Sequence, residues 1–196
     1  MSGGAATDVP AAYLALRDDA RALLHGWDAP DAQQDALRHA YLAHLDAHRD
    51  GMWKQGPPSH LTTGAIVLDE DLGSVLLTLH KKAGIWLQFG GHLEPEDTSV
   101  LAAATREARE ESGLHWLELD PRVVELHRHE LVAPAFGRCR EHLDVRFAGV
   151  VPADAAFVVS EESHDVAWWP VDALPQESAH EIGPMVRAAR SVLGRS

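Results

Sequence analysis

Apolar positions over residues 11–50 recur at three- and four-residue steps, the period of amphipathic helices. Tyr13, Leu16, Ala20, Leu23, Leu24 and Trp27 make one stripe. Asp28-Ala29-Pro30-Asp31 interrupts it, and Asp31 is placed to cap a second helix with Leu37, Tyr41, Leu45 and His48 on one face. Gly56-Pro57-Pro58 marks a connector over 51–59. From Leu61 the pattern changes to short apolar or β-branched runs at 62–68 and 74–80, separated by a hairpin loop at 69–73. A third strand is expected at 85–89, closed by Gly90-Gly91. Residues 99–112 are rich in Ala, Arg and Glu, lack Gly and Pro, and stop at Gly113, which predicts a helix. Further strands are expected at 123–132, 143–151 and 166–169, then a closing helix over 178–193. Strands on both sides of one central helix predict a mixed α/β or α+β sandwich behind an appended helical pair.

Composition and charge narrow the class. Hydrophobic residues are 45% of the 196 and charged ones 24%, ordinary globular values that argue against disorder or fibrous repeats. The formal net charge of −13 and the lack of any Lys/Arg-rich run argue against nucleic acid as a partner. An acidic protein that handles phosphates needs a few focused basic residues or a divalent cation. Cys139 is the single cysteine, too few for an internal disulfide or a zinc cluster, and it reads as a bystander. MSGGAATDVP does not read as a signal peptide, and no run approaches the roughly 20 apolar residues of a membrane helix. The expectation is a soluble cytoplasmic protein with no membrane partner.

The chemistry is concentrated near the end of the central helix. Glu107, Glu110 and Glu111 stand at i, i+3 and i+4 and share one helix face. Close carboxylates repel, and the C-terminal end of a helix disfavours negative charge. A bound divalent cation would repair both faults, and an all-carboxylate donor set suits Mg²⁺ or Mn²⁺. The alternative is an ordinary solvated face. Arg106 and Arg109 adjoin the cluster and are candidates to orient carboxylates or to meet a phosphate oxygen. Gly90-Gly91 after a strand permits close backbone approach.

Together, Gly91 and the run Arg106-Glu107-Ala108-Arg109-Glu110-Glu111-Ser112-Gly113-Leu114 resemble the Nudix box, over residues 91–114. Fourteen residues separate Gly91 from Arg106, where the family pattern has thirteen. Either Asp97 or Thr98 therefore takes the first acidic position, with the extra residue in the Glu94-Pro95-Glu96-Asp97 loop. Glu96 stands where relatives often have Gly, Phe89 where many have Pro, and Ala108 is smaller than the usual aliphatic. The resemblance implies a Nudix-like mixed β-sheet flanked by helices over 59–196, behind an N-terminal helical extension and linker at 1–58. It further implies Mg²⁺ or Mn²⁺ on Glu107, Glu110, Glu111 and the Gly90 carbonyl, with Arg106 holding the carboxylates by an ion pair. The family hydrolyses a diphosphate joined to another group, so the expected partner is a small-molecule diphosphate such as a nucleoside-diphosphate derivative. Cations would neutralise the diphosphate and activate water. Glu107 is the preferred base, with Glu161, Glu162 and His164 as alternatives.

Outside the box, several residues have two readings. His80, Lys81 and Lys82 contact phosphate or form a solvated loop. His92, directly after Gly91, is a pocket candidate. Glu162 is a candidate substrate contact, and Trp86 either stacks on a base or packs in the core. His127 with His129, and His142 with Asp144, alternate along strands as a metal site or as sheet-surface groups. The terminal helical pair is a dimerisation arm, giving a homodimer, or a lid. Two other functions share this fold: a Nudix-like nucleotide-sensing module without turnover, and isopentenyl-diphosphate isomerase. The isomerase expects a cysteine near the glycine turn and a disrupted glutamate pattern, neither of which the sequence displays.

Overall fold

The computed structural model describes residues 8–131, 137–161 and 163–194. Helix α1 (Ala11–Gly26) buries Tyr13, Leu16, Ala20 and Leu24, one side of the expected stripe. The Asp31 side chain accepts a hydrogen bond from the Gln34 amide at 2.8 Å and starts α2 (Ala32–Ala47) as the sequence predicts. His48 ends α2 as its C-cap.

The strands are β1 (Ser59–Asp69), β2 (Ser74–His80), β3 (Trp86–Leu87), β4 (Phe89–Gly91), β5 (Leu119–Glu130), β6 (Glu141–Val151) and β7 (Ser163–Pro170). They form a mixed sheet in the order β3-β2-β1-β6-β5, with β4 also on β1 and β7 also on β2. Three elements differ from expectation. The run 85–89 splits because β3 pairs with β2 whereas β4 crosses to β1. Strand β5 starts earlier, behind an irregular register between Asp120 and Glu125, while Val132 of the expected run lies outside the described residues. The closing helix α4 (Ile182–Leu193) starts later than 178. There the Trp86 amide donates to Glu177 O and Ala179 N donates to Trp86 O, so the backbone is already engaged in strand-like pairing.

Strand β1 is buried along nearly its whole length, as expected of a strand covered on both faces. Ala65 and Val67 face one core with α1, α2 and the central helix α3 (Val100–Ser112). Ile66 and Leu68 face a second core with α4. The terminal helices are tied into the first. Gln34 exchanges hydrogen bonds with the backbone of Leu126, and Trp27 Nε1 donates to Val123 O. Leu16, Leu24, Tyr41 and Leu45 are at most 1% exposed, each contributing roughly 1.5–3 kcal/mol as an upper bound. The stripe had to be buried either on the rest of the chain or on a second subunit, and it packs on the chain's own core. Among the described residues, no helix is long and apolar enough to cross a membrane.

Candidate active site

Helix α3 is aimed by its ends and its buried face. Ser99 accepts from the Ala102 amide at 3.0 Å, and Asp19 of α1 accepts from the Val100 amide at 2.8 Å. Gly113 closes it in the left-handed region at φ 72°. Val100, Ala103, Ala104 and Ala108 are buried on one side. The small Ala108 therefore serves close packing.

The double-glycine bend lies directly beneath the glutamates. Gly90 has φ 153°, and a Cβ there would run into the Thr63 carbonyl. A Cβ on Gly91 would sit 2.7 Å from Glu107 Oε1, so only glycine admits the carboxylate this close. The Gly90 amide donates to Glu111 Oε2 at 3.2 Å. Glu111 is 6% exposed, whereas the Glu110 side chain is 61% exposed and borders the cleft.

Arg106 knits the site together. Its Nε and Nη2 donate to the Asp97 carboxylate at 2.9 and 3.0 Å, and Nη2 also donates to His92 O at 3.1 Å. Its Nη1 reaches Glu107 Oε1 at 3.0 Å and Glu110 Oε2 at 3.3 Å. Of the two residues competing for the first acidic position, Asp97 is the one that grips the arginine. Arg109 turns elsewhere, to Leu117 O and Glu118. Burial lifts the Glu107 carboxyl to about 7; Arg106 opposes the rise, while Glu110 and Glu94 add to it.

These groups open into a cleft of about 1060 Å³ that Lys54, Lys82, Arg128 and several histidines also line. Lys82 rather than Lys81 borders it; the exposed Lys81 donates to Glu161 O. Trp86 is 9% exposed and packs edge-on against Trp169 in the second core, which favours the packing reading over stacking on a base. Glu162 lies outside the described residues, and His164 is exposed at the start of β7.

The histidines fall into two groups: His127, His129 and Asp144 stay together as the sequence allowed, while His142 leaves them for a cluster the sequence did not suggest. Parallel pairing of β1 with β6 sets His60 opposite His142, and His92 and Cys139 complete a cluster with ligand atoms within 4.8 Å of one another. Burial lowers the proton affinity of His60, and that of His142 and His92 to about 4 and about 3. The second group is His127, His129 and Asp144. A cation already sits there: the fully buried Arg146 donates to Asp144 Oδ2 and contacts His127 Nδ1, both at 3.0 Å, and pairs with Glu125. Among the described residues, the three glutamates do not converge to within the same 4.8 Å. Lys54, His60 and Arg146 were missed in the sequence, whereas Lys82 was already a candidate phosphate contact. The alternation of His142 and Asp144 along one strand, continued by two residues, would have reached Arg146.

Fold and site define an α/β sandwich with an acidic helix set over a double-glycine bend at the head of an open cleft. The family model for the NUDIX domain matches residues 58–189, and the chain belongs to that family. Among solved structures, the E. coli dihydroneopterin triphosphate pyrophosphohydrolase is similar at 16% identity and TM-score 0.55, covering 69% of this chain and 96% of that one. A C. elegans Ap4A hydrolase binary complex matches at 16% and 0.54, covering 68% and 97%. A NUDIX-family hydrolase from Clostridium perfringens matches at 22% and 0.51, covering 68% and 97%. At these identities the likeness is one of fold. No curated protein matches the sequence significantly.

Proposed function

We propose that this protein hydrolyses the diphosphate linkage of a nucleoside-diphosphate derivative or similar small metabolite, with Mg²⁺ or Mn²⁺ as cofactor. The observation that carries this reading is the placement of Glu107, Glu110 and Glu111 on one face of α3, at the cleft and against Gly90-Gly91. The donor set fits a hard divalent cation. It consists of carboxylate oxygens, and burial of Glu107 is only partly offset by Arg106, a cost that a cation would relieve. Glu107, Glu110, Glu111 and the Gly90 carbonyl would hold it, and when bound it would neutralise phosphate oxygens and lower the pKa of water.

The chain's own residues supply the remainder. Arg106 holds Glu107 by Oε1, leaving Oε2 to take the proton of an attacking water. The Glu107 carboxyl, raised to about 7 without a cation, would be drawn down by a bound one and so stand ionised to accept the proton at neutral pH. The water oxygen bonds to one phosphorus, the anhydride P–O bond breaks, and the second phosphate leaves with the shared oxygen. Lys54, Lys82 and Arg128 on the cleft walls offset the charge of the diphosphate. Residues 59–196 carry this chemistry in our reading, with 1–58 as a packed extension.

The test is a panel of ADP-ribose, coenzyme A, diadenosine polyphosphates and oxidised nucleotides with added Mg²⁺ or Mn²⁺. Turnover of at least one compound is expected, lost on chelation and in Glu110→Gln or Glu111→Gln. Normal turnover in either variant would remove the assigned site. Because a proton and the cation compete for Glu107, Mn²⁺ affinity measured by calorimetry should fall as pH drops below about 7, by up to tenfold per unit. A flat profile there would detach Glu107 from the metal.

A further inference from the structure

We propose that His60, His92, His142 and Cys139 form a structural zinc site, separate from the carboxylate site on α3. Four chain segments deliver the ligands. His60 lies on β1 and His142 opposite it on β6, His92 follows β4, and Cys139 precedes β6. Cys139 is brought in by the pairing of its neighbour: the Arg140 amide donates to Pro58 O at 2.9 Å, next to the start of β1.

The spacing fits tetrahedral zinc. Bond lengths of about 2.0–2.1 Å to nitrogen and about 2.3 Å to sulfur give ligand–ligand edges of roughly 3.3–3.6 Å. The separations are 3.1 Å between His60 Nε2 and His92 Nε2, 3.7 Å from Cys139 Sγ to His60 Nε2, and 3.9 Å from Sγ to His92 Nε2. Contraction of a few tenths of an ångström on the sulfur side, with His142 drawn in from within 4.8 Å, would complete the tetrahedron.

Two further features point to a ligand. His60 Nδ1 lies 2.9 Å from the Pro57 carbonyl, which can only accept a hydrogen bond; Nδ1 therefore carries the proton and Nε2 presents its lone pair inward. His142 Nε2 is buried with no hydrogen-bond partner among the described residues, a costly state that coordination would relieve. Three imidazoles and one thiolate suit zinc and reject magnesium. One cysteine is enough when three histidines complete the set. Four protein ligands leave no open position, so the role is structural. His92 links the two sites, because Arg106, which holds Glu107 and Glu110, also binds the His92 carbonyl. Zinc would pin the bend that α3 leans on.

The whole chain, purified without a histidine tag, is assayed for metal and then reloaded with Co²⁺. One zinc per chain is expected, and the cobalt form should display a tetrahedral visible spectrum with a thiolate-to-cobalt charge-transfer band. The chain has a single cysteine, so that band reports Cys139 without any variant. Cys139→Ser should abolish the band, His60→Ala should lose the ion, and Glu111→Gln should retain it, separating this site from the carboxylate one. Zinc removal should lower Tm, restored by Zn²⁺ and not by Mg²⁺. Metal-free protein that also gives no charge-transfer band with Co²⁺ would overturn the proposal, as would zinc retained at full stoichiometry by both Cys139→Ser and His60→Ala.

Discussion

Replacing Glu107 with glutamine should make the metal-free protein more stable than wild type above pH 7 while reducing turnover about 1000-fold or more. The first effect follows from proton linkage. The carboxyl ordinarily titrates at 4.5, and burial lifts it to about 7 in the fold. Between those values the folded state holds the extra proton, so its stability declines as pH rises through that window, and the full cost is present above 7. Glutamine carries no charge to desolvate, which is worth on the order of 2 kcal/mol above that window. Arg106 is not orphaned by the change, since both Asp97 oxygens remain bound to it. The second effect follows from losing a proton acceptor and a cation ligand together. Urea unfolding of the two proteins without metal, one unit above and two units below pH 7, checks the first effect. A variant less stable than wild type at the higher pH would refute the desolvation account of Glu107.

Arg146→Met should cost about 3–5 kcal/mol of folding stability, the larger of the two stability effects. The guanidinium is fully buried and faces Asp144, Glu125 and His127, with Glu181 3.7 Å away. Burial by itself would raise the Asp144 carboxyl; Arg146 above all, then His129 and the Thr62 hydroxyl, holds it at about 2 instead. A methionine would fill the space and leave the buried Asp144 and the partly buried Glu125 without their cation. Denaturant titration near neutral pH gives the loss directly. Adding Asp144→Asn to Arg146→Met should recover part of it, because one of the stranded charges is then gone. A single variant within 1 kcal/mol of wild type would mean that the carboxylates find other partners and that this network is dispensable.

Much of the chemistry on α3 could be read directly from the sequence, because it is local. Glu107, Glu110 and Glu111 share a face through helix geometry alone, and Arg106 reaches two of them across at most one turn. The contact with Asp97 was half-legible, since one inserted residue left two positions in competition. The case against the isomerase rested partly on Cys139 being far from the glycine turn in sequence; folding brings its sulfur to 3.9 Å from His92, and the complete glutamate face remains the argument against that reading.

What the sequence determined by itself is what near neighbours and simple periods decide: the helical pair, most strands, the capped central helix and its carboxylate face. What only the tertiary structure decided is set by pairing between distant segments. Eleven parallel register positions between β1 and β6 place His60 beside His142, and no feature of either strand alone encodes that register. Burial did the rest. It packed Trp86 against Trp169, chose Lys82 over Lys81 for the cleft, and turned an ordinary glutamate into one that titrates at about 7. Desolvation depends on every segment that closes over a group, and those segments come from across the chain.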